Sequence, residues 1–197
     1  MTPIVAILLT APRPGTLKRQ LAAEIGDRQT LRLYRVLAGR TLDAVRQTGF
    51  EAMVWFAPAD ASGEMRQWLG ESWDLRAQAS GDLGARLAAA EQAVPRGRGW
   101  LAMGVDCPRL DAELLRVAAA VVERREVVVG PTEDGGCYLI GGLTPLPALY
   151  DSVPWGTGDA MAALRLRLRA AGASWRELPQ LRDLNTASAA RAEGLLT

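Results

Sequence analysis

The chain has 197 residues, 49% of them hydrophobic and 23% charged, with a formal net charge of +1 at pH 7. That length can bury one sizeable core, and so even a charge balance gives no field that would favour nucleic acid or an anionic membrane as partner. Histidine is absent altogether, which excludes His-containing zinc sites, a Ser-His-Asp triad and a Cys-His dyad.

Strand and helix signals alternate along the chain. Residues 3–10 form an apolar strand; its uncharged run from Ile4 to Leu9 has strand length and is too short to cross a bilayer. No basic segment precedes it as in a secretory leader, so the expected location is cytoplasmic. A stiff Pro/Gly loop to Gly15 opens a helix over 16–25, broken at Gly26-Asp27. Residues 28–48 place Leu31, Tyr34, Val36, Leu37, Leu42 and Val45 at helical spacing, with Gly49 past the end. Strands follow at 51–57 and, shorter, at 74–79, with a short helix between them at 62–69. A helix at 82–94, a central strand at 100–105 and a helix at 111–124 come next. Strands at 126–130 and 138–142 precede a less regular tail. There Leu164-Arg165-Leu166-Arg167-Leu168-Arg169 has a period of two, but flanking alanines and length favour a helix over 159–171, with Met161, Leu164 and Leu168 inward. Residues 174–178 read as an edge strand, and a short last helix begins at Asn185. Such alternation predicts an α/β three-layer sandwich with a mostly parallel central sheet, formed by 1–197 as one domain.

Five residues, Gly104-Val105-Asp106-Cys107-Pro108, close the central strand. Ligands of open α/β sheets bind outside the carboxyl ends of strands, and a carboxylate there suits a hard divalent cation that also grips phosphates. Asp106 could instead cap a turn or the next helix. Further on, Glu133-Asp134-Gly135-Gly136 permits a tight turn with close approach of backbone to a ligand, and is also a common hairpin turn. Asp134, or Glu133, could orient an acceptor hydroxyl or take its proton. Asp183 and Asn185, two apart, would face the same way on an extended segment, and Asn185 or Thr186 could cap the last helix. Asp106 with Asp183 or Asn185 would suffice for magnesium, which takes few carboxylates plus phosphates and water.

The chain has one lysine, Lys18, against 22 arginines. A compact ammonium on a flexible stem suits phosphate oxygens where a planar fork does not; the alternative is a solvated helix face. Cys107 and Cys137 have no metal-ligand spacing and read as small buried hydrophobes. Trp155 could stack on a base or sugar, or serve as core.

Six segments in order, TAPRPGTLKRQLA at 10–22, QASGDLGARL at 78–87, GVDCP at 104–108, GPTEDGGCYLIGG at 130–142, PWGT at 154–157 and DLNTASAA at 183–190, resemble a bacterial glycosyltransferase-like family. It is often labelled rSAM/selenodomain-associated transferase 1 and was formerly a domain of unknown function. The family belongs to the GT-A nucleotide-diphospho-sugar transferase superfamily, alongside sugar-phosphate, molybdenum-cofactor and 2-phospho-L-lactate nucleotidyltransferases. The resemblance implies Asp106 as metal aspartate, with Asp183 and Asn185 as further ligands of Mg²⁺ or Mn²⁺. It also implies phosphate contacts from the loop of Ala11, Pro12, Arg13, Gly15 and Lys18. Gly81, Asp82 and Gly84 would lie near the nucleotide, and Asp134, Gly135 and Gly136 on the acceptor side. Departures from the family pattern are Arg19-Gln20 after the lysine, Cys137 before Tyr138, and Asn185 in place of aspartate.

Three readings stay open: a metal-dependent glycosyltransferase using a nucleotide sugar, a nucleotidyltransferase joining a nucleoside triphosphate to a phosphorylated or carboxylated acceptor, and a non-catalytic nucleotide-binding protein. The first is favoured, because Pro-Arg-Pro-Gly stands after the first strand where nucleotidyltransferases commonly have a glycine-rich loop with an Arg-Met-Gly core. In each catalytic reading the partners are small molecules, with neither nucleic acid nor a membrane span involved.

Overall fold

The computed structural model describes residues 2–143, 145–146 and 149–196. Seven strands form one sheet: β1 (Ile4–Thr10), β2 (Ala52–Ala57), β3 (Asp74–Ala77), β4 (Gly99–Met103), β5 (Val127–Pro131), β6 (Cys137–Leu143) and β7 (Trp175–Glu177). Their order is β3-β2-β1-β4-β6-β5-β7. Every neighbouring pair is parallel except those made by β6, which runs antiparallel to both β4 and β5. The mostly parallel sheet expected from the alternation is therefore present, and β7 stands at its edge as the sequence predicts.

Side chains alternate across this sheet and supply two cores. Val5, Ile7 and Leu9 of β1 pack with α2 (Asp27–Thr48), α3 (Ser62–Leu69) and α5 (Ala112–Glu123) on one face. Ile4 and Ala6 pack with α4 (Leu83–Gln92) and α6 (Ala160–Ala170) on the other. A strand sandwiched between helices needs apolar residues at every position, which is why β1 reads as an unbroken run. A third, smaller cluster joins α1 (Arg19–Ile25) and α7 (Ala187–Ala192) to Leu33 and Leu37 of α2. In α6 the helical reading of the leucine–arginine repeat holds. Met161, Leu164 and Leu168 are buried, whereas Leu166 is 63% exposed.

Two devices fix the end of the sheet where the strands' carboxyl termini lie, and a third packs its centre. Tyr34 of α2 clamps the last residue of β1, its hydroxyl donating to Thr10 O at 2.9 Å and accepting from Thr10 N at 2.8 Å. Gln78 donates from one amide nitrogen to Leu9 O at 2.8 Å and Trp55 O at 2.9 Å, tying β1 to β2. Between β4 and β6 the strands approach so closely that a Cβ on Gly141 would lie 2.5 Å from Leu101 Cδ2 and from Trp100 O. Gly141→Ala is accordingly expected to overpack the sheet centre and cost roughly 1–3 kcal/mol, read as a fall in thermal midpoint; an unchanged midpoint would mean that β6 shifts freely.

Candidate functional site

The chain leaves β1 toward β2 on one side and returns through β4 on the other, so the carboxyl ends of β1 and β4 border a crevice of the kind that holds ligands in open α/β sheets. A cleft of about 440 Å³ opens there, lined among others by Thr10, Asp106, Thr132, Asp134, Asp183 and Asn185.

Backbone hydrogen bonds bring these distant residues together. Beyond β7 the chain continues beside the end of β5: Leu181 N donates to Pro131 O at 3.1 Å, and Glu133 N to Leu181 O at 2.9 Å. Three residues later Leu184 N donates to Asp106 O at 3.0 Å. Asp183 and Asn185 thereby come to stand beside Asp106. Into this group reaches Lys18, whose Nζ is 2.8 Å from Asp106 Oδ1 and 3.7 Å from Asp183 Oδ1, and donates to Asn185 Oδ1 at 3.1 Å. The lysine side chain is only 7% exposed, far from a solvated helix face. Its backbone is left-handed, φ 39° and ψ 61°, at the N-cap of α1. That conformation delays the helix to Arg19, where periodicity alone places its start at residue 16.

The capping alternatives are taken by other residues. Asp111 caps α5 by accepting from Leu114 N at 2.8 Å, and Thr186 caps α7 by accepting from Ala189 N at 3.2 Å. Asp106 and Asn185 are left to the lysine. Asp183 carries a further signature: its Oδ1 is buried without a hydrogen-bond partner. Burial, followed by repulsion from the Asp106 carboxylate, pushes its carboxyl up to about 6. Two carboxylates and one amide oxygen, one of them an orphaned buried atom, fit a hard divalent cation whose remaining positions are filled by phosphate and water. Among the described residues no group of three or more His, Cys, Asp and Glu side chains is arranged to hold a metal ion, so ligand oxygens must complete the shell.

Asp134 stands across the cleft on the β5–β6 hairpin. Its Oδ1 accepts from Thr132 Oγ1 at 2.5 Å and Gly136 N at 3.2 Å, which fixes the carboxylate in the cleft lining. Gly135 has φ 86°, and a Cβ there would fall 1.9 Å from Gly158 O. The close approach that requires glycine is thus to the loop before α6, and Gly136 is the one that lines the cleft.

The remaining sequence-predicted residues are spread around this centre. Ala11 and Pro12 are buried at the end of β1, where Ala11 N donates to Ala57 O at 2.7 Å. Gly15 takes the positive φ of the loop. Arg13 points to α3 and pairs with Glu64 at 2.6 Å and Asp60 at 3.1 Å, so in this structure its guanidinium is engaged away from the lysine. Asp82 caps α4 through Ala85 N at 2.9 Å, next to Gly81. Cys107 is buried, and burial raises its thiol well above the usual range. Burial pushes the Cys137 thiol up to about 11, so neither is poised as a thiolate nucleophile. Glu133 pairs with Arg182 at 2.8 Å, and Asp134 is the carboxylate of that turn that lines the cleft. Trp155 lines the cleft and donates from Nε1 to Tyr150 O at 3.3 Å.

Two cleft residues escape the sequence reading: Gln78 and Arg86. Gln78, its amide hydrogens spent on the two strand carbonyls, turns Oε1 to Arg86 Nη1 at 3.2 Å, while Arg86 Nε donates to Gly81 O at 3.2 Å. The guanidinium is aimed into the cleft by neutral partners, and among the described residues it forms no ion pair. An arginine in the first turns of an amphipathic helix looks like surface, and only the glutamine behind it marks its role.

This mixed sheet, with its acidic centre at the carboxyl ends of β1 and β4, defines the nucleotide-diphospho-sugar transferase fold. A Desulfovibrio desulfuricans G20 protein carried under that working name matches with a TM-score of 0.85 and 26% identity, over 94% of this chain and 84% of that one. The chain belongs to the family described as "Uncharacterized protein conserved in bacteria (DUF2064)", whose model matches residues 41–157. Two more distant structures share the fold. Rv0371c of Mycobacterium tuberculosis H37Rv, solved in complex with manganese, has a TM-score of 0.61 at 23% identity over 99% of this chain and 98% of that one. A Methanothermobacter nucleotidyl transferase has 0.63 at 19% identity over 97% and 95%. No curated protein matches the chain. Among the described residues no helix is long and apolar enough to cross a membrane.

Arg86→Met is expected to weaken nucleoside diphosphate binding by roughly tenfold, the scale of a hydrogen bond from a charged group. Gln78→Met, which keeps the charge but not its aim, should cost less; wild-type calorimetric affinity in both variants would place Arg86 outside the ligand's reach.

Proposed function

We propose that the protein transfers a glycosyl group from a nucleotide sugar to a small-molecule acceptor with the help of a divalent cation, Mg²⁺ or Mn²⁺. The observation that carries this reading is the convergence of Asp106, Asp183 and Asn185 on one cationic point, with the fixed Asp134 carboxylate in the same cleft. Asp106, Asp183 and Asn185 would hold the cation, whose charge would offset that of the donor's diphosphate. Lys18 neutralises phosphate oxygens beside it, and Arg86 supplies a second positive charge. Asp134 orients the acceptor hydroxyl and takes its proton while the oxygen attacks the anomeric carbon and the bond to the diphosphate breaks. With no histidine in the chain and both thiols raised by burial, a carboxylate is the group suited to that proton. The fold shared with a protein carrying the working name nucleotide-diphospho-sugar transferase supports the donor class.

Calorimetric titration with nucleotide sugars, nucleoside diphosphates and triphosphates, each with Mn²⁺ and with chelator, tests the reading. Metal-dependent binding of a nucleotide sugar is expected; preference for a triphosphate would replace glycosyl by nucleotidyl transfer, and no binding by folded protein would remove catalysis. Asp106→Ala should abolish the metal-dependent part with the fold intact, whereas unfolding would return Asp106 to a structural role. Lys18→Ala should weaken diphosphates far more than nucleosides, and equal loss for both would take the lysine off the phosphates.

A further inference from the structure

We infer that Lys18 makes this site take its divalent cation together with a nucleoside diphosphate and hold the free ion poorly. The inference rests on reading the cleft as a donor site and adds the order in which that site fills. The Asp106 and Asn185 oxygens that would bind the cation both already address the Lys18 ammonium, at 2.8 and 3.1 Å, and the third, on Asp183, lies 3.7 Å from it. An ammonium and a divalent cation cannot share that centre, because at such separations their repulsion is large even in a well-screened environment. The cation must therefore displace the lysine.

Displacement alone leaves the ammonium without counter-charge. The side chain is 7% exposed, so solvent does not compensate it in place, and its backbone is pinned in the left-handed region at the head of α1. The nearby arginines cannot exchange partners with it freely: Arg13 is paired with Asp60 and Glu64, and Arg182 with Glu133. A diphosphate arriving with the metal removes the difficulty, giving the lysine new anionic oxygens as the carboxylates pass to the metal. The four-carbon stem allows such a swing; a planar guanidinium, locked to a carboxylate by paired hydrogen bonds, would be released less readily. This accounts for a lysine at the one place in a chain otherwise supplied with arginine.

Because Lys18 is the sole lysine, full-length protein grown with lysine labelled with ¹⁵N at Nζ gives one side-chain ammonium resonance. With Mg²⁺ alone the resonance is expected to stay in place, and with Mg²⁺ plus ADP, CDP, GDP or UDP to move. In parallel, Lys18→Met is expected to bind free Mn²⁺ at least about tenfold tighter than wild type by calorimetry, since a repelling charge is gone, while losing affinity for the diphosphates. Movement of the resonance by Mg²⁺ alone, joint binding that leaves it in place, or no gain in free Mn²⁺ affinity for Lys18→Met overturns the inference and leaves the donor-site reading standing. Absence of nucleotide binding under every condition removes that reading, and the inference with it. Should Lys18→Met fail to fold, the resonance of the wild-type protein decides alone.

Discussion

One ammonium group is shared by three parts of the chain that backbone pairing sets side by side. Lys18 comes from the loop after β1, Asp106 from the turn after β4, and Asp183 and Asn185 from the segment beyond β7. At an effective dielectric of about 20, an ion pair near 3 Å is worth roughly 5 kcal/mol before desolvation, and each buried ion costs several kcal/mol to strip of water. The lysine's contribution to stability is thus a small difference, but its absence would leave two carboxylates facing each other. Burial, and after it repulsion from Asp106, raises the Asp183 carboxyl to about 6 even with the lysine in place. A group so balanced can change partners, and the acidic centre depends on that balance.

The sheet makes such a meeting possible. β1 and β4 are parallel neighbours, Ile4 beside Trp100 and Ile7 beside Met103, so the loops after both open on the same end of the sheet, with β1 running on to Thr10 beyond the last residue of β4. β6 then turns back antiparallel, which places the Asp134 hairpin at that end too. Binding groups on loops are positioned by the rigid scaffold beneath them, and here Tyr34 and Gln78 hold the strand ends up to the last residue of β1.

Much of this was legible in the sequence because apolar periodicity and turn residues carry it. The unbroken run of β1, the glycine stops at Gly26 and Gly49, and the aspartates opening α4 and α5 all mark real boundaries. Nearness of Asp106, Asp134, Asp183 and Asn185 could be expected from strand ends and family resemblance. What could not be read was who partners whom. Nothing local says that Lys18 would sit among the carboxylates, since its left-handed backbone is imposed by tertiary contact and not by residue type. Arg13, the more obvious phosphate ligand, is drawn off by Glu64 of α3 and by Asp60 just before that helix. Arg86 was hidden for the opposite reason: it occupies an ordinary helical surface position, and its aim depends on Gln78. Family membership and shared fold settle the architecture, while these side-chain partnerships are visible only in the structure.

The route by which the tail reaches the site has a consequence in time. Asp183 and Asn185 arrive through hydrogen bonds of Leu181 and Leu184 to Pro131 and Asp106, so they can join only a sheet that already exists. During synthesis β1 to β6 can assemble on the ribosome while residues 178–185 are still in the exit tunnel. Until that stretch emerges, Lys18 and Asp106 have each other but no ligand set. A nascent chain can therefore hold most of its sheet before Asp183 and Asn185 join Lys18 and Asp106.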